Sequence, residues 1–256
     1  MTEIKNVKVY DLVESIIASG LAMRTEPFNY EEEKKDIDRH LKRCINLVQA
    51  SKSTDVHCHD NFLTGIRVSF DIKYPQYLSP ELQRYHFLDI VTSMSKMHRL
   101  SKISLEKCCN KYVDPDIIET AQGHIDYYNN IVSNKNTTTF KYWAIDSRGN
   151  EVLEKVEGRE KALYAAFMTM VSNCPAGLEL WMRVSTNYKQ LQTIYYQRRN
   201  HRLKEDWGAI IDMIESLPYA KSLILGEKES TESSSNTSSI LNASFRPTSA
   251  KYEAVD

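Results

Sequence analysis

Apolar positions recur along most of the chain with one of two periods. In "EEEKKDIDRHLKRCINLV", Ile37, Leu41, Ile45 and Val48 fall at helical spacing among charged residues, which predicts an amphipathic helix. "TGIRVSFDIKYP" alternates instead. Ile66, Val68, Phe70 and Ile72 share one face, and Arg67, Ser69, Asp71 and Lys73 share the other, as in a half-exposed strand closed by Pro75. The "LSPEL" that follows supplies a capping Ser79, a Pro80 suited to the first helical position and a Glu81 at the positive dipole end. This predicts a helix from Pro80 to Met97. Asp114-Pro115 opens a second helix that runs through Val132. "TTTFKYWAIDSRGNEVLEK" places threonines and aromatics around Ser147-Arg148-Gly149-Asn150, the pattern of a hairpin. Helical patterns follow over Arg159–Asn173, Asn187–Asn200 and Lys204–Glu215. The expected fold is α+β, a helix-rich single domain over residues 1–226 with a small antiparallel sheet. Residues 227–256 are rich in Ser, Thr and Asn and poor in large apolar side chains, so they read as a disordered tail that cannot offset its ordering entropy.

Composition narrows the function. A net charge of -1 argues against a general nucleic-acid binder, which would carry a basic excess. No apolar run is long enough to cross a bilayer, and the first residues carry no apolar signal region. Five cysteines without regular spacing do not form a disulfide framework, so a reducing cytoplasm is the expected setting. His57-Cys58-His59-Asp60 has metal-ligand types but lacks further ligands at a usual spacing, which leaves an exposed loop or a site for an organic ligand, and no metal is expected. Neither a P-loop nor a dinucleotide fingerprint occurs. Arg198, Arg199, His201, Arg202 and Lys204 crowd together in "YYQRRNHRLKEDW", either as a solvated helix end or as an anion site.

One stretch resists a purely structural account. "QRYHFLDIVTSMSKMH" carries two histidines, hydroxyls and a lysine inside what otherwise reads as a buried helix. In frame, it resembles the signature of the flavin-dependent thymidylate synthases (the thymidylate synthase complementing proteins). In that family Arg-His-Arg, seven residues and then Ser lie on a strand-to-helix segment. Here Tyr85-His86-Phe87, seven residues and then Ser95 occupy the frame. "HDNFLTGIRVSFDIKYP" is similar to the family's preceding loop and strand, with His59 and Gly65 at its two histidine positions. "NYKQL" followed by Arg198 matches Asn-x-Arg-x-Leu and an Arg seven residues further on. "CPAGLELWMRVSTN" and "AMRTEPFN" resemble two further family segments. The resemblance spans roughly residues 7–217, with 134–158 as a hairpin insertion.

The resemblance implies reductive methylation of dUMP to dTMP, with a reduced flavin (FAD) carrying hydride, methylenetetrahydrofolate giving the one-carbon unit and NADPH as reductant. It implies flavin contacts at His59, His86, Asn187 and His201. Nucleotide contacts are implied at Arg84, Ser95, Lys96, Lys189 and Arg198, with Arg198 also catalytic: a guanidinium on the pyrimidine carbonyl would stabilise developing charge. It further implies a homotetramer with sites at subunit junctions. The departures lie at the anion contacts. Tyr85 and Phe87 replace arginines, as do Met97 and Val171, and Thr92-Ser93 replaces Asn-Glu. Arg84, Lys96, His98 and Lys189 are the available substitutes. His86 reads equally as a satisfied core histidine. Three functions follow: an active synthase with a rewired anion site, a related pyrimidine-nucleotide enzyme, or a non-catalytic relative serving as a binding or assembly module.

Overall fold

A computed structural model describes residues 1–53 and 59–227 of the chain. His57 and the Ser-rich segment from residue 228 lie outside the described residues, so the structure does not bear on either reading. In chain order the helices and strands are β1 (Glu3–Tyr10), α1 (Leu12–Ala18), α2 (Tyr30–Glu33), α3 (Ile37–Ser53), β2 (Arg67–Pro75), α4 (Ser79–Leu82), β3 (Asp89–Ser93), α5 (Lys96–Arg99), α6 (Leu105–Cys108) and α7 (Pro115–Ser133). They continue with β4 (Thr139–Ile145), β5 (Glu151–Glu157), α8 (Arg159–Ser172), β6 (Glu179–Asn187), α9 (Tyr188–Arg198), α10 (Lys204–Ser216) and α11 (Ala220–Leu223). The fold is α+β and helix-rich. One sheet has the order β1-β2-β6-β3 and the other is the β4-β5 hairpin.

The chain divides into two compact units. Among the described residues, one takes Met1, Tyr74–Ser79 and Ser93–Trp181; the other takes those within Thr2–Lys73, Pro80–Thr92 and 182–227. In the latter, β2 alternates as its sequence dictates, with Val68, Phe70 and Ile72 buried. Leu191, Ile194, Trp207 and Ile210 of α9 and α10 are buried as well. Each such side chain contributes about 1.5–3 kcal/mol on leaving water. On α3 the buried face runs through Ile37, Leu41, Cys44 and Val48, with Ile45 only half-buried. His40 joins that face, 1 % exposed, and is satisfied by Glu33 at 2.7 Å and the Arg43 guanidinium at 2.8 Å.

The other unit is organised by α7, α8 and the hairpin. Asp114 caps α7 and Pro115 takes its first turn. Ile131, Phe140, Ala162 and Ala166 form the core of this unit's helix-and-hairpin half. Arg159 donates to the carbonyls of Ile131, Val132 and Asn134, which the helix end leaves without intrahelical partners. At the hairpin tip the Asp146 carboxylate accepts from the Arg148 and Asn150 amides. Gly149 takes the φ of +84° that the turn requires.

The predicted helix from Pro80 to Met97 does not form. Helix α4 stops at Leu82, residues 83–88 turn, 89–93 extend as β3, and a single turn, α5, resumes at Lys96. Only Leu82, Tyr85 and Leu88 are buried along 82–93, and Ile90, Val91 and Thr92 favour strand geometry through their branched Cβ atoms. A helix does start here, but Ser79 is its first residue with helical dihedrals (φ -53°, ψ -48°), not a cap before it, and the helix lasts one turn.

Candidate functional site

Helix α9 is capped by Asn187, the last residue of β6, which is buried and whose side chain accepts the Gln190 amide at 2.8 Å. The 83–88 loop lies along this helix. The Phe87 amide donates to Gln190 Oε1 at 3.2 Å near its start. At its end the Tyr85 hydroxyl donates to Gln197 Oε1 at 3.2 Å and accepts from Arg198 Nε at 2.6 Å. Two pieces of sequence about a hundred residues apart, the Tyr85-His86-Phe87 frame and the Asn187–Arg198 frame, therefore touch at both ends of α9.

Arg198 is held by its own protomer. Its Nη1 meets Glu81 Oε2 at 2.9 Å, and its guanidinium lies 4.6 Å from the centre of the Trp207 ring. The same carboxylate oxygen accepts from Trp207 Nε1 at 2.9 Å. His201 stands edge-on to Trp207 at 6.0 Å, with its Nε2 3.7 Å from Glu81. The arginine is 15 % exposed and the carboxylate 27 %, so the charge is largely neutralised inside the fold. Asn187, Leu191 and Arg198 do not open onto one cleft. Leu191 is fully buried among apolar side chains, Asn187 is spent on the helix cap, and Arg198 turns toward Glu81. Helical spacing puts the three on one face, but that face packs inward.

The remaining expected site residues are dispersed. Arg84 and His86 are exposed, so His86 is not a core histidine; its ring meets Phe87 edge-on at 5.0 Å. Among the described residues Arg84 has no hydrogen bond or ion pair. Lys189 is paired with the buried Asp60 at 2.6 Å and donates to Gln192 at 3.1 Å. His59, the neighbour of Asp60, is exposed, and among the described residues Asp60 Oδ1 has no hydrogen-bond partner. Ser95 and Lys96 belong to the other unit. There Ser95 Oγ accepts the His98 amide at 3.4 Å, and burial pushes the Cys174 thiol up while the Lys96 ammonium opposes that shift.

Among the described residues, two open grooves stand out, and neither is lined by an expected site residue. One, about 440 Å³, lies against Tyr142, Trp143, Tyr164 and Met168. The other, about 780 Å³, lies against β1 and α10. Among the described residues no cluster of three or more His, Cys, Asp or Glu could hold a metal ion, and no helix is long and apolar enough to cross a membrane. Sequence reasoning missed Glu81, Asp60 and Trp207 as partners. Glu81 was legible only as a helix-start acid, and nothing local signals that a carboxylate will meet an arginine 117 positions away.

The donors around α9 do not reproduce what a flavin dinucleotide needs. Its pyrophosphate calls for clustered cations, whereas Tyr85 and Phe87 carry no charge and both Arg198 and Lys189 already hold carboxylates. Arg84 is the one unpaired guanidinium on the loop, which suits a single anionic group.

No family model and no curated protein matches the chain. Solved structures do. The chain is similar to thymidylate synthase X from Helicobacter pylori with FAD and dUMP, at 14% identity, covering 88% of this chain and 97% of that one with a TM-score of 0.49. It is also similar to flavin-dependent thymidylate synthase from Helicobacter pylori complexed with FAD and dUMP, at 14% identity, covering 89% and 99% with a TM-score of 0.51. The latter likeness establishes the fold.

Proposed function

We propose that this chain is a flavin-dependent thymidylate synthase-like protein that binds a pyrimidine nucleotide beside the 83–88 loop and α9, and that it works as a homotetramer. The observation that carries the reading is the contact of the Tyr85–Phe87 loop with Gln190, Gln197 and Arg198. It brings together, along one helix, the two segments whose frames match the family. The fold likeness extends over nearly all of the solved synthase. On this reading the reaction is reductive methylation of dUMP with methylenetetrahydrofolate, FAD and NADPH, and Arg84, beside the exposed His86, offers the cationic contact for the nucleotide. One protomer supplies too few free cations for the flavin, so this reading requires neighbouring copies to complete its site.

A second reading is favoured by the Arg198–Glu81 pair. A guanidinium already neutralised within its own fold is a poor electrophile for a pyrimidine carbonyl, which points to a nucleotide-binding or assembly module without the reaction. The purified protein separates the two. A flavin absorbance band with calorimetric dUMP binding supports the synthase. dUMP binding by a colourless protein that stays colourless with added FAD supports the module. A flavin band without dUMP binding points to another pyrimidine nucleotide, and the absence of both overturns the proposal.

A further inference from the structure

The sheet has two edges, and they are built differently. Edge strand β1 is guarded. Its register slips between Lys5 and Lys8, and Asn6 sits at φ 53° in the bulge. The bulge is pinned by the Arg183 guanidinium on the Asn6 carbonyl at 3.1 Å and by Asn6 Nδ2 on Asp71. Bulges and edge lysines are the usual means of keeping a sheet edge from pairing with another chain.

Edge strand β3 carries neither of the guarding residue types: its sequence is Asp-Ile-Val-Thr-Ser, without lysine or proline. All five residues are exposed, with Ile90 at 43% and Val91 at 62%. Among the described residues no strand covers its outer edge. A strand draws its stability from the packing of its side chains, and this one buries almost nothing in the protomer. Three of its five residues are β-branched, the composition that seeks a pleated partner.

We propose that β3 pairs with β3 of a second copy, antiparallel about Val91, so that the two sheets join into one across a twofold axis. The inference deepens the assembly proposed above by naming the face through which two copies meet. The self-pairing is electrostatically allowed. Val91 meets Val91 of the other copy and Ile90 meets Thr92, while Asp89, the only charge, lies at the strand end. The two aspartates then stand about 13 Å apart at roughly 3.3 Å per residue, which exceeds the ~10 Å screening length of ordinary buffer. The pair is isologous, so it closes on itself and does not propagate into a fibre.

Light scattering on the full chain tests this, with Val91→Lys, Val91→Glu and Lys8→Glu as variants. The parent should weigh an even multiple of the 29.6 kDa chain. Val91→Lys and Val91→Glu set like charges directly opposite one another, so each should lower the mass to half or less with an unchanged circular dichroism spectrum. An equimolar mixture of the two should recover the parental mass at low salt and lose it again at high salt. Lys8→Glu, on the guarded edge, should leave the mass unaltered. Recovery in the mixture also excludes misfolding as the cause of dissociation. A monomeric parent overturns both this inference and the homotetramer. An assembled parent whose Val91 variants keep its mass, or whose mixture fails to reassociate, overturns this inference alone.

Discussion

Arg198 and Arg84 belong to the same unit and flank the same tyrosine, yet they do opposite things. Arg198 comes from the frame that most resembles a catalytic motif, and the fold consumes it: Glu81 neutralises it, Trp207 lies under it and Tyr85 holds its Nε. Arg84 replaces nothing in the motif, stands one residue before it and remains exposed. A motif position supplies a residue type; whether its charge reaches a ligand depends on which counter-charges the fold has brought to it. Here the buried end of α9 behaves as structure and the exposed loop as surface.

The largest test of that contrast is Trp207→Ala. The indole is 1 % exposed, so its removal leaves a void and deprives Glu81 of a donor, and urea denaturation should show a loss of about 3–5 kcal/mol. A cost below about 1 kcal/mol would mean that the network is not core. Glu81→Gln comes next. It leaves the Arg198 guanidinium mostly enclosed without its counter-charge, and stability should fall by about 1.5–3 kcal/mol. An unchanged urea midpoint would show that the arginine swings freely into solvent, which would restore it as a ligand contact.

Arg198→Ala and Arg84→Ala sharpen the contrast directly. The first should cost about 1–3 kcal/mol in stability through lost bonds and lost packing on the indole. The second should stay within about 0.5 kcal/mol of the parent in stability. If the nucleotide proposal holds, Arg84→Ala should weaken dUMP binding by about 1.5–3 kcal/mol, the worth of one charge-assisted bond. Calorimetry and urea melts on both variants decide it, and the reverse assignment of effects would refute the division. The smallest effect is expected from Asn187→Ala. Loss of the cap at the start of α9 should cost about 1 kcal/mol, read as a lower melting temperature with the helix otherwise intact.

Much of the fold was legible in local pattern. Period and caps located α3, α7, α8, α9 and α10 within a few residues, and alternation located β2 and the β4-β5 hairpin. Strand β6 was equally legible, since Leu180, Met182 and Val184 alternate inward, but its short run was read only for family resemblance. Strand β1 was harder, because the bulge at Asn6 shifts the period midway and hides the alternation.

The stretch from 83 to 98 shows where local pattern ends. Its apolar residues fit a helix by spacing, and its β-branched residues fit a strand by shape. The choice fell to partners distant in sequence: α9 takes Tyr85 and the Phe87 amide, and β6 takes β3 as a neighbour. The electrostatics of the candidate site were decided in the same way. The sequence by itself determined which cations exist, where the helices begin and which faces are apolar, because those depend on residues three or four positions apart. Only the tertiary structure decided that Arg198 and Lys189 are paired while Arg84 is open, because Glu81 and Asp60 reach them across 117 and 129 positions, a separation that no local periodicity encodes.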